Sequence, residues 1–115
     1  MVTETGVLCV FCSCPDMETA NMLAEQMVNN HLAACVNVLP AVTSFYRWQD
    51  RLERDSEVLL MIKCAEHSWQ ALHDYVISEH PYDNPELIAV PVDRGSVKYL
   101  DWVLSDCAPP QDNRH

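Results

Sequence analysis

Residues 34–48 read ACVNVLPAVTSFYRW, fifteen residues rich in the apolar and β-branched side chains of a β-strand. Fully extended, such a run measures about 50 Å at ~3.3 Å per residue. A domain of this size has a radius of gyration of only about 13 Å. Pro40 lies inside the run, and a proline within a strand indicates an edge position, a bend or a bulge. We therefore predict a long hairpin that bends sharply or extends beyond the body of the domain.

The rest of the chain supplies the other elements of a small α+β domain. From apolar runs and alternation, four strands are predicted at residues 6–14, 34–48, 52–64 and 87–92, and Pro40 interrupts the second of them between residues 39 and 42. From helical periodicity, helices are predicted at residues 17–31, from Trp69 to a stop at Pro81, and after Ser96. The order β-α-β-β-α-β with an extra C-terminal helix is the ferredoxin-like arrangement. We expect a single domain over residues 1–115, with an ordered core at about 6–106 and a flexible tail at 107–115.

Charge and hydropathy limit the classes of partner. The chain has a formal net charge of −10, whereas binding to nucleic acid or to anionic membrane surfaces requires clustered lysine and arginine. No apolar run reaches transmembrane length. The first residues lack the basic and apolar regions of a secretory signal. We therefore expect no nucleic acid partner, no membrane and a cytoplasmic location.

The six cysteines also favour a reducing compartment, because five of them lie in apolar or strand-like runs. Such cysteines usually behave as small buried apolar residues, so we expect most of them to be free thiols. Cys12 and Cys14 are separated by one residue, and their side chains point to the same face of a strand. This pair either packs in the core or forms a soft site for Cu(I).

Three aromatic residues, Phe45, Tyr46 and Trp48, lie near the end of the predicted hairpin. A monomer of this size has little core there to cover them. Exposed aromatic patches mark interfaces, and long unpaired strand edges attract partner strands. We expect self-association through this hairpin, with these three side chains in the interface.

The segment HPYDNPEL, residues 80–87, places His80 and Glu86 in a stiff loop between two prolines. Proline fixes its own φ and pushes the preceding residue towards extended geometry. His80 therefore ends the second helix. Such a loop is suited to holding a metal ion or a proton-transfer group, but it is also suited to joining a helix to a strand.

Four motifs, considered together, resemble the CutA divalent-cation tolerance family over about residues 7–104. They are AACVNVLP at 33–40, SFYRW at 44–48, HPYDNPEL at 80–87 and YLDW at 99–102. The resemblance implies a homotrimer of ferredoxin-like subunits, similar to the PII signalling proteins. It also implies tolerance of copper and other divalent metals.

The resemblance implies a metal site at Cys12 and His80, with Glu86 as a further acidic ligand. Some members of the family bind copper through two consecutive histidines, and the first of these positions is Glu79 in this chain. A set of one cysteine, one histidine and two glutamates suits Zn²⁺ or Cu²⁺. A purely structural explanation remains open, in which Cys12 packs in the core and His80 binds a backbone carbonyl at the helix end.

Enzyme signatures are not apparent in the sequence. Glycine occurs only at positions 6 and 95, which leaves no phosphate-binding loop, and we find no nucleophile elbow or paired-carboxylate motif. Cys12 with His80 is the one candidate dyad. We predict a non-enzymatic trimer that binds copper or another divalent metal, in metal homeostasis or PII-like signalling. The alternative is a scaffold trimer whose intersubunit clefts bind a protein or small ligand.

Overall fold

Four antiparallel strands form one sheet, and three α-helices pack against it. The computed structural model describes residues 3–107. Its elements are β1 (Val7–Cys14), α1 (Met17–Asn29), β2 (Cys35–Trp48), β3 (Arg51–Ala65), α2 (Trp69–Glu79), β4 (Leu87–Pro91) and α3 (Val97–Asp106), with a 3₁₀ turn at Glu66–Ser68. The order of strands and helices is the predicted one. The predicted flexible tail lies outside the described residues from 108 onwards.

The strands are arranged in the order β2-β3-β1-β4, so β2 and β4 are the edges. Alternation along β1 gives the sheet two different faces. On the helix face, the side chains of Leu8, Val10, Cys12 and Cys14 are almost fully buried together with α1 and α2. The opposite, open face carries Cys9 and Phe11, which are only half-buried. Its edge residues Ile88 and Val90 are 54% and 47% exposed.

The long hairpin is confirmed, since the molecule measures 54 Å along its longest axis and has a radius of gyration of 15.3 Å. β2 runs through Pro40 as one strand, and the interruption predicted there is an irregularity in its pairing with β3. Leu39 pairs with Leu59 and Val42 pairs with Glu57, so two residues of β2 oppose one residue of β3. This is a β-bulge, one of the three features that proline in a strand predicted.

Positive φ angles mark the two points where the hairpin changes direction. Ala41 in the bulge has φ 61°, and the two-residue turn has φ 49° at Gln49 and 63° at Asp50. Positive φ at both central residues is the geometry of a type I′ turn, which matches the twist of the flanking strands. We call residues 42–57, beyond the bulge, the distal hairpin.

The ends of α1 and α2 place the loops that surround the end of β1. The Asp16 carboxylate accepts a hydrogen bond of 2.7 Å from the Thr19 amide and so caps the start of α1. α1 ends at Asn29 rather than at residue 31, because His31 adopts φ 58°. α2 ends at Glu79, and His80 is extended at φ −74° and ψ 139°, as Pro81 requires.

The strained bulge residue gives a stability prediction. We expect Ala41→Gly to raise the free energy of unfolding by about 0.5–1 kcal/mol, because glycine adopts a positive φ without the clash of a Cβ atom. Urea denaturation at fixed protein concentration measures this change. The matched control is Thr43→Gly in the same strand, which should lower the free energy of unfolding. Equal destabilisation by both substitutions would contradict the argument.

Candidate metal centre

Cys12, Cys14 and His80 form a buried cluster under the helices. One ligand atom from each residue lies within 4.8 Å of the others, and no other such group of three or more was found among residues 3–107. Both thiols point to the helix face of β1 because they are two residues apart. His80 reaches them because α2 ends directly above the end of β1. The cluster therefore joins the first strand to the loop after α2.

Both ring nitrogens of His80 are hydrogen-bonded to the backbone. Nε2 lies 2.7 Å from the Ser13 carbonyl oxygen, and Nδ1 lies 3.1 Å from the Tyr82 amide nitrogen. A carbonyl only accepts and an amide N–H only donates, so Nε2 carries the proton and Nδ1 accepts. The imidazole therefore links β1 to the loop at residues 80–82. This is the backbone contact that the structural explanation of His80 required.

The two thiols share a hydrogen bond that separates their pKa values. The pKa of Cys12 is raised, first by its hydrogen bond to Cys14 and then by burial, with smaller contributions from the carboxylates of Glu86 and Glu57. The same hydrogen bond lowers the pKa of Cys14. The Cys12 thiol also lies 3.9 Å from the Ser13 carbonyl oxygen, to which it can donate a hydrogen bond.

The two glutamates predicted as ligands lie outside the buried cluster. Glu79 is exposed at the end of α2, where its carboxylate accepts a hydrogen bond of 3.1 Å from the Ser78 hydroxyl. Glu86 is also exposed, although it is close enough to raise the pKa of Cys12. The structure instead brings Cys14 to His80. The sequence signal for Cys14 was its position two residues from Cys12, on the same face of the strand.

An open cleft of about 850 Å³ lies between the distal hairpin and the loop at residues 82–86. It is lined by Ser13, Ser44, Phe45, Tyr46, Arg47, Trp48, Glu57, Tyr82, Asp83, Asn84 and Glu86. The Tyr82 hydroxyl donates a hydrogen bond of 2.8 Å to Glu57 across the cleft. The Tyr46 hydroxyl donates to Asp55, which raises the pKa of Tyr46 to about 12. The cleft combines aromatic surfaces with several carboxylates.

The three aromatic residues predicted to form an interface are exposed. Phe45 is 63% and Trp48 is 60% exposed, and Tyr46 is also exposed. The Arg54 guanidinium lies 5.7 Å from the centre of the Phe45 ring and covers part of it. Their exposure satisfies the condition for an interface, but their role in one remains a prediction.

The donors of the cluster fit a metal ion only in part. Two thiols and one imidazole are ligands for soft and borderline metals. The Nδ1 lone pair of His80, however, faces the Tyr82 amide, and Nε2 faces a carbonyl. The thiols can bind a metal where they lie. The imidazole can become a ligand only when residues 80–82 release one of these hydrogen bonds.

The fold and the cluster define a class: a small α+β protein with one antiparallel sheet, an overhanging hairpin and a thiol–imidazole donor set. The CutA1 divalent ion tolerance protein family matches residues 8–106, and the chain belongs to this family. The resemblance seen in its motifs is thereby confirmed. Among residues 3–107, none of the helices has the length and apolar character needed to cross a membrane.

Three relatives illustrate the range of the family. Human protein CutA is 46% identical over 98 residues, which are 85% of this chain and 55% of the human protein. The chain thus spans about half the length of that relative. The crystal structure of the stable protein CutA1 from Shewanella sp. SIB1 has 36% identity and a TM-score of 0.88, covering 90% of this chain and 97% of that one. The Archaeoglobus fulgidus CutA structure, described as periplasmic, has 29% identity and a TM-score of 0.85, covering 88% and 98%.

The hydrogen bonds of His80 give a second stability prediction. We expect His80→Ala to lower the free energy of unfolding by about 1–3 kcal/mol, because it leaves the Ser13 carbonyl and the Tyr82 amide without their imidazole partner. Urea denaturation measures the loss, and faster hydrogen exchange at the Tyr82 amide locates it. The control His73→Ala removes a surface histidine and should change stability by less than about 0.5 kcal/mol. A similar loss in both variants would show that His80 has no special structural role.

Proposed function

We propose that this protein binds divalent cations at the cluster of Cys12, Cys14 and His80, with copper and zinc as the leading candidates. The observation that carries the proposal is the buried thiol–imidazole cluster in a chain of the divalent ion tolerance family. Cysteine and histidine favour Cu²⁺ and Zn²⁺ over the hard cations Mg²⁺ and Ca²⁺, which prefer oxygen ligands. The role we propose is buffering or sensing of metal rather than catalysis.

The cluster and the residues around it would attract the cation, coordinate it and allow His80 to move as it binds. Glu57, Asp83 and Glu86 line the cleft, which reaches β1 at Ser13, between the two cysteines. In an acidic protein such a cleft raises the local concentration of cations. Bound metal would hold the two thiols and the imidazole in one coordination sphere, and His80 would give up its Tyr82 amide to join it.

Glu79 and Glu86 are the proposed supplementary ligands. Both are exposed and adjoin the loop that carries His80. Neither belongs to the buried cluster, so coordination by either requires the loop to move. The same movement of the loop releases the imidazole from the Tyr82 amide. Coordination by a glutamate and coordination by His80 therefore depend on one conformational change.

We further propose that the chain is a ferredoxin-like subunit of a PII-like homotrimer. Three features support this assembly: the overhanging distal hairpin, its exposed aromatic residues and the half-exposed open face of the sheet. Ile88 and Val90 extend that open face to the edge strand. Exposure of these apolar side chains to water is energetically unfavourable, so this surface indicates an interface.

A cytoplasmic location and a non-catalytic role complete the proposal. All six cysteines are free, and four of them are buried, which suits a reducing compartment. A nucleophilic dyad would need Cys12 and His80 to exchange a proton. Cys12 is buried, and the unprotonated nitrogen of His80 is occupied by the Tyr82 amide. This arrangement favours a structural or metal-binding histidine over a catalytic base.

The cleft supports a second candidate function, a scaffold that binds a small ligand or a protein segment. Its aromatic and acidic lining would suit an organic cation or a basic peptide. In this case metal binding would be incidental. A screen of amines and basic peptides against the wild-type protein and Tyr82→Ala distinguishes it, because metal binding at the cluster does not require the Tyr82 ring.

The metal proposal is tested by calorimetric titration of metal-free protein with Cu²⁺ and Zn²⁺. We expect binding at about micromolar affinity or tighter that is lost in Cys12→Ala and in His80→Ala. Glu79→Gln and Glu86→Gln should weaken it by roughly 10-fold if these carboxylates contribute. Cys9→Ala, on the same strand but on the open face, is the control. Weak binding that none of these substitutions alters would contradict a metal site at this cluster.

The trimer is tested by light scattering on Trp48→Asp. We expect a lower mass than for the wild-type protein, because a buried carboxylate at an apolar interface is unfavourable. Ile77→Asp serves as the control, since Ile77 is similarly exposed but lies on α2. An unaltered mass for Trp48→Asp would count against the distal hairpin as the interface.

A further inference from the structure

We propose that Cys12 and Cys14 alone form a two-coordinate site for a soft monovalent d¹⁰ cation, Cu(I), and that His80 closes over this site without binding the metal. This inference rests on the metal-binding function proposed above and adds to it a monovalent cation that the two thiols hold without the imidazole. Cys12 by itself would be an ordinary core thiol. The inference depends on a second thiol at position 14, together with an imidazole that is already engaged elsewhere.

The separation of the two sulfur atoms fits a linear dithiolate. Metal–thiolate bonds measure about 2.3 Å, so two sulfurs on opposite sides of one ion lie roughly 4.6 Å apart. The ligand atoms of Cys12 and Cys14 lie at most 4.8 Å apart. Rotation of the two side chains about the fixed strand can bring the sulfurs to the separation that a linear centre requires.

The backbone of β1 holds this separation fixed. Cys12 pairs with Leu60 on one side and with Leu87 on the other, and Cys14 pairs with Val58. Residues two apart on a strand have Cα atoms about 6.6 Å apart, and their Cβ atoms project in parallel. A disulfide needs Cβ atoms about 3.5–4.5 Å apart. The thiols are thus close enough to share an ion but too far apart to bond to each other without distortion of the sheet.

The number of free donors favours a monovalent soft ion over a divalent one. A structural zinc site takes four ligands, whereas this cluster offers two thiols and an imidazole whose nitrogens both have backbone partners. Binding Zn²⁺ or Cu²⁺ would require His80 to leave the Tyr82 amide. Cu(I) needs no more than two thiolates, and soft sulfur ligands select it. The folded cluster therefore accepts Cu(I) without opening.

The binding step is a ligand exchange without redox chemistry. Each thiol loses its proton and forms one sulfur–copper bond, so two protons are released and copper remains Cu(I). The resulting centre carries one negative charge. The carboxylates of Glu57 and Glu86 attract the cation to the cleft before it binds. Ser13, the residue between the two cysteines in the sequence, lines this cleft.

The test is anaerobic competition for Cu(I) between the reduced protein and a coloured Cu(I) chelator such as bicinchoninate. We expect one Cu(I) per chain, with affinity reduced by more than about 100-fold in Cys12→Ser and in Cys14→Ser, because one thiolate cannot form a two-coordinate centre. Cys9→Ser, on the open face of the same strand, should bind within about threefold of the wild-type protein. Unchanged Cu(I) affinity in Cys14→Ser would overturn the proposal.

X-ray absorption on the Cu(I)-loaded wild-type protein gives a readout that does not depend on the folding of any variant. We expect two sulfur neighbours and no nitrogen, and the Tyr82 amide should stay protected from exchange. A nitrogen ligand would overturn the proposal. Cu²⁺ or Zn²⁺ binding that requires His80, without Cu(I) binding, would refute this inference and leave the proposed function standing. Binding of none of the three ions would refute both.

Discussion

The difference in length between β1 and β3 is the constraint on which the shape of the molecule depends. β1 pairs with β3 only from Val58 to Ala65, whereas β2 accompanies β3 down to Arg51. Residues 51–57 consequently have a partner on one side only. This part of the sheet leaves the domain as a two-stranded ribbon, and none of the three helices described among residues 3–107 covers it. The exposed aromatic residues and the cleft beside the loop at residues 82–86 are both results of that missing third strand.

Most of the fold could be predicted from the sequence because a few residues clearly mark where its helices begin and end. Pro81 ends α2 and Asp16 begins α1, so the order of elements followed from single residues with one strong preference each. The errors occurred where no residue carries such a preference. α1 ends at Asn29 because His31 adopts a positive φ. A histidine in the sequence does not predict this backbone conformation. Pro40, by contrast, left an edge, a bend or a bulge open, and the structure has a bulge there.

The candidate site was predicted in part, and the missing part has a physical reason. Cys12 and His80 could be associated through the family resemblance, and the prolines supported a fixed position for His80. The place of Cys14 beside His80 depends on how far the end of α2 reaches over the sheet, and neither residue encodes that distance. Glu79 was predicted as a ligand because it precedes His80 and occupies the first of the two histidine positions of the family. Adjacent residues at a helix end point in different directions, however, so Glu79 is exposed while His80 is buried.

The bulge changes which side chains of β2 point to the helix face of the sheet. Before it, Val38 faces Leu60; after it, Val42 faces Glu57. Even-numbered side chains of β2 therefore change from the even-numbered to the odd-numbered residues of β3, and with them from the helix face to the open face. Loss of one residue at the bulge would restore one-to-one pairing, with Val42 still opposite Glu57 and Trp48 still opposite Arg51. The extra residue therefore does not set the register of the distal hairpin; it bends the ribbon and increases its twist, and so sets the direction in which the aromatic side chains leave the domain.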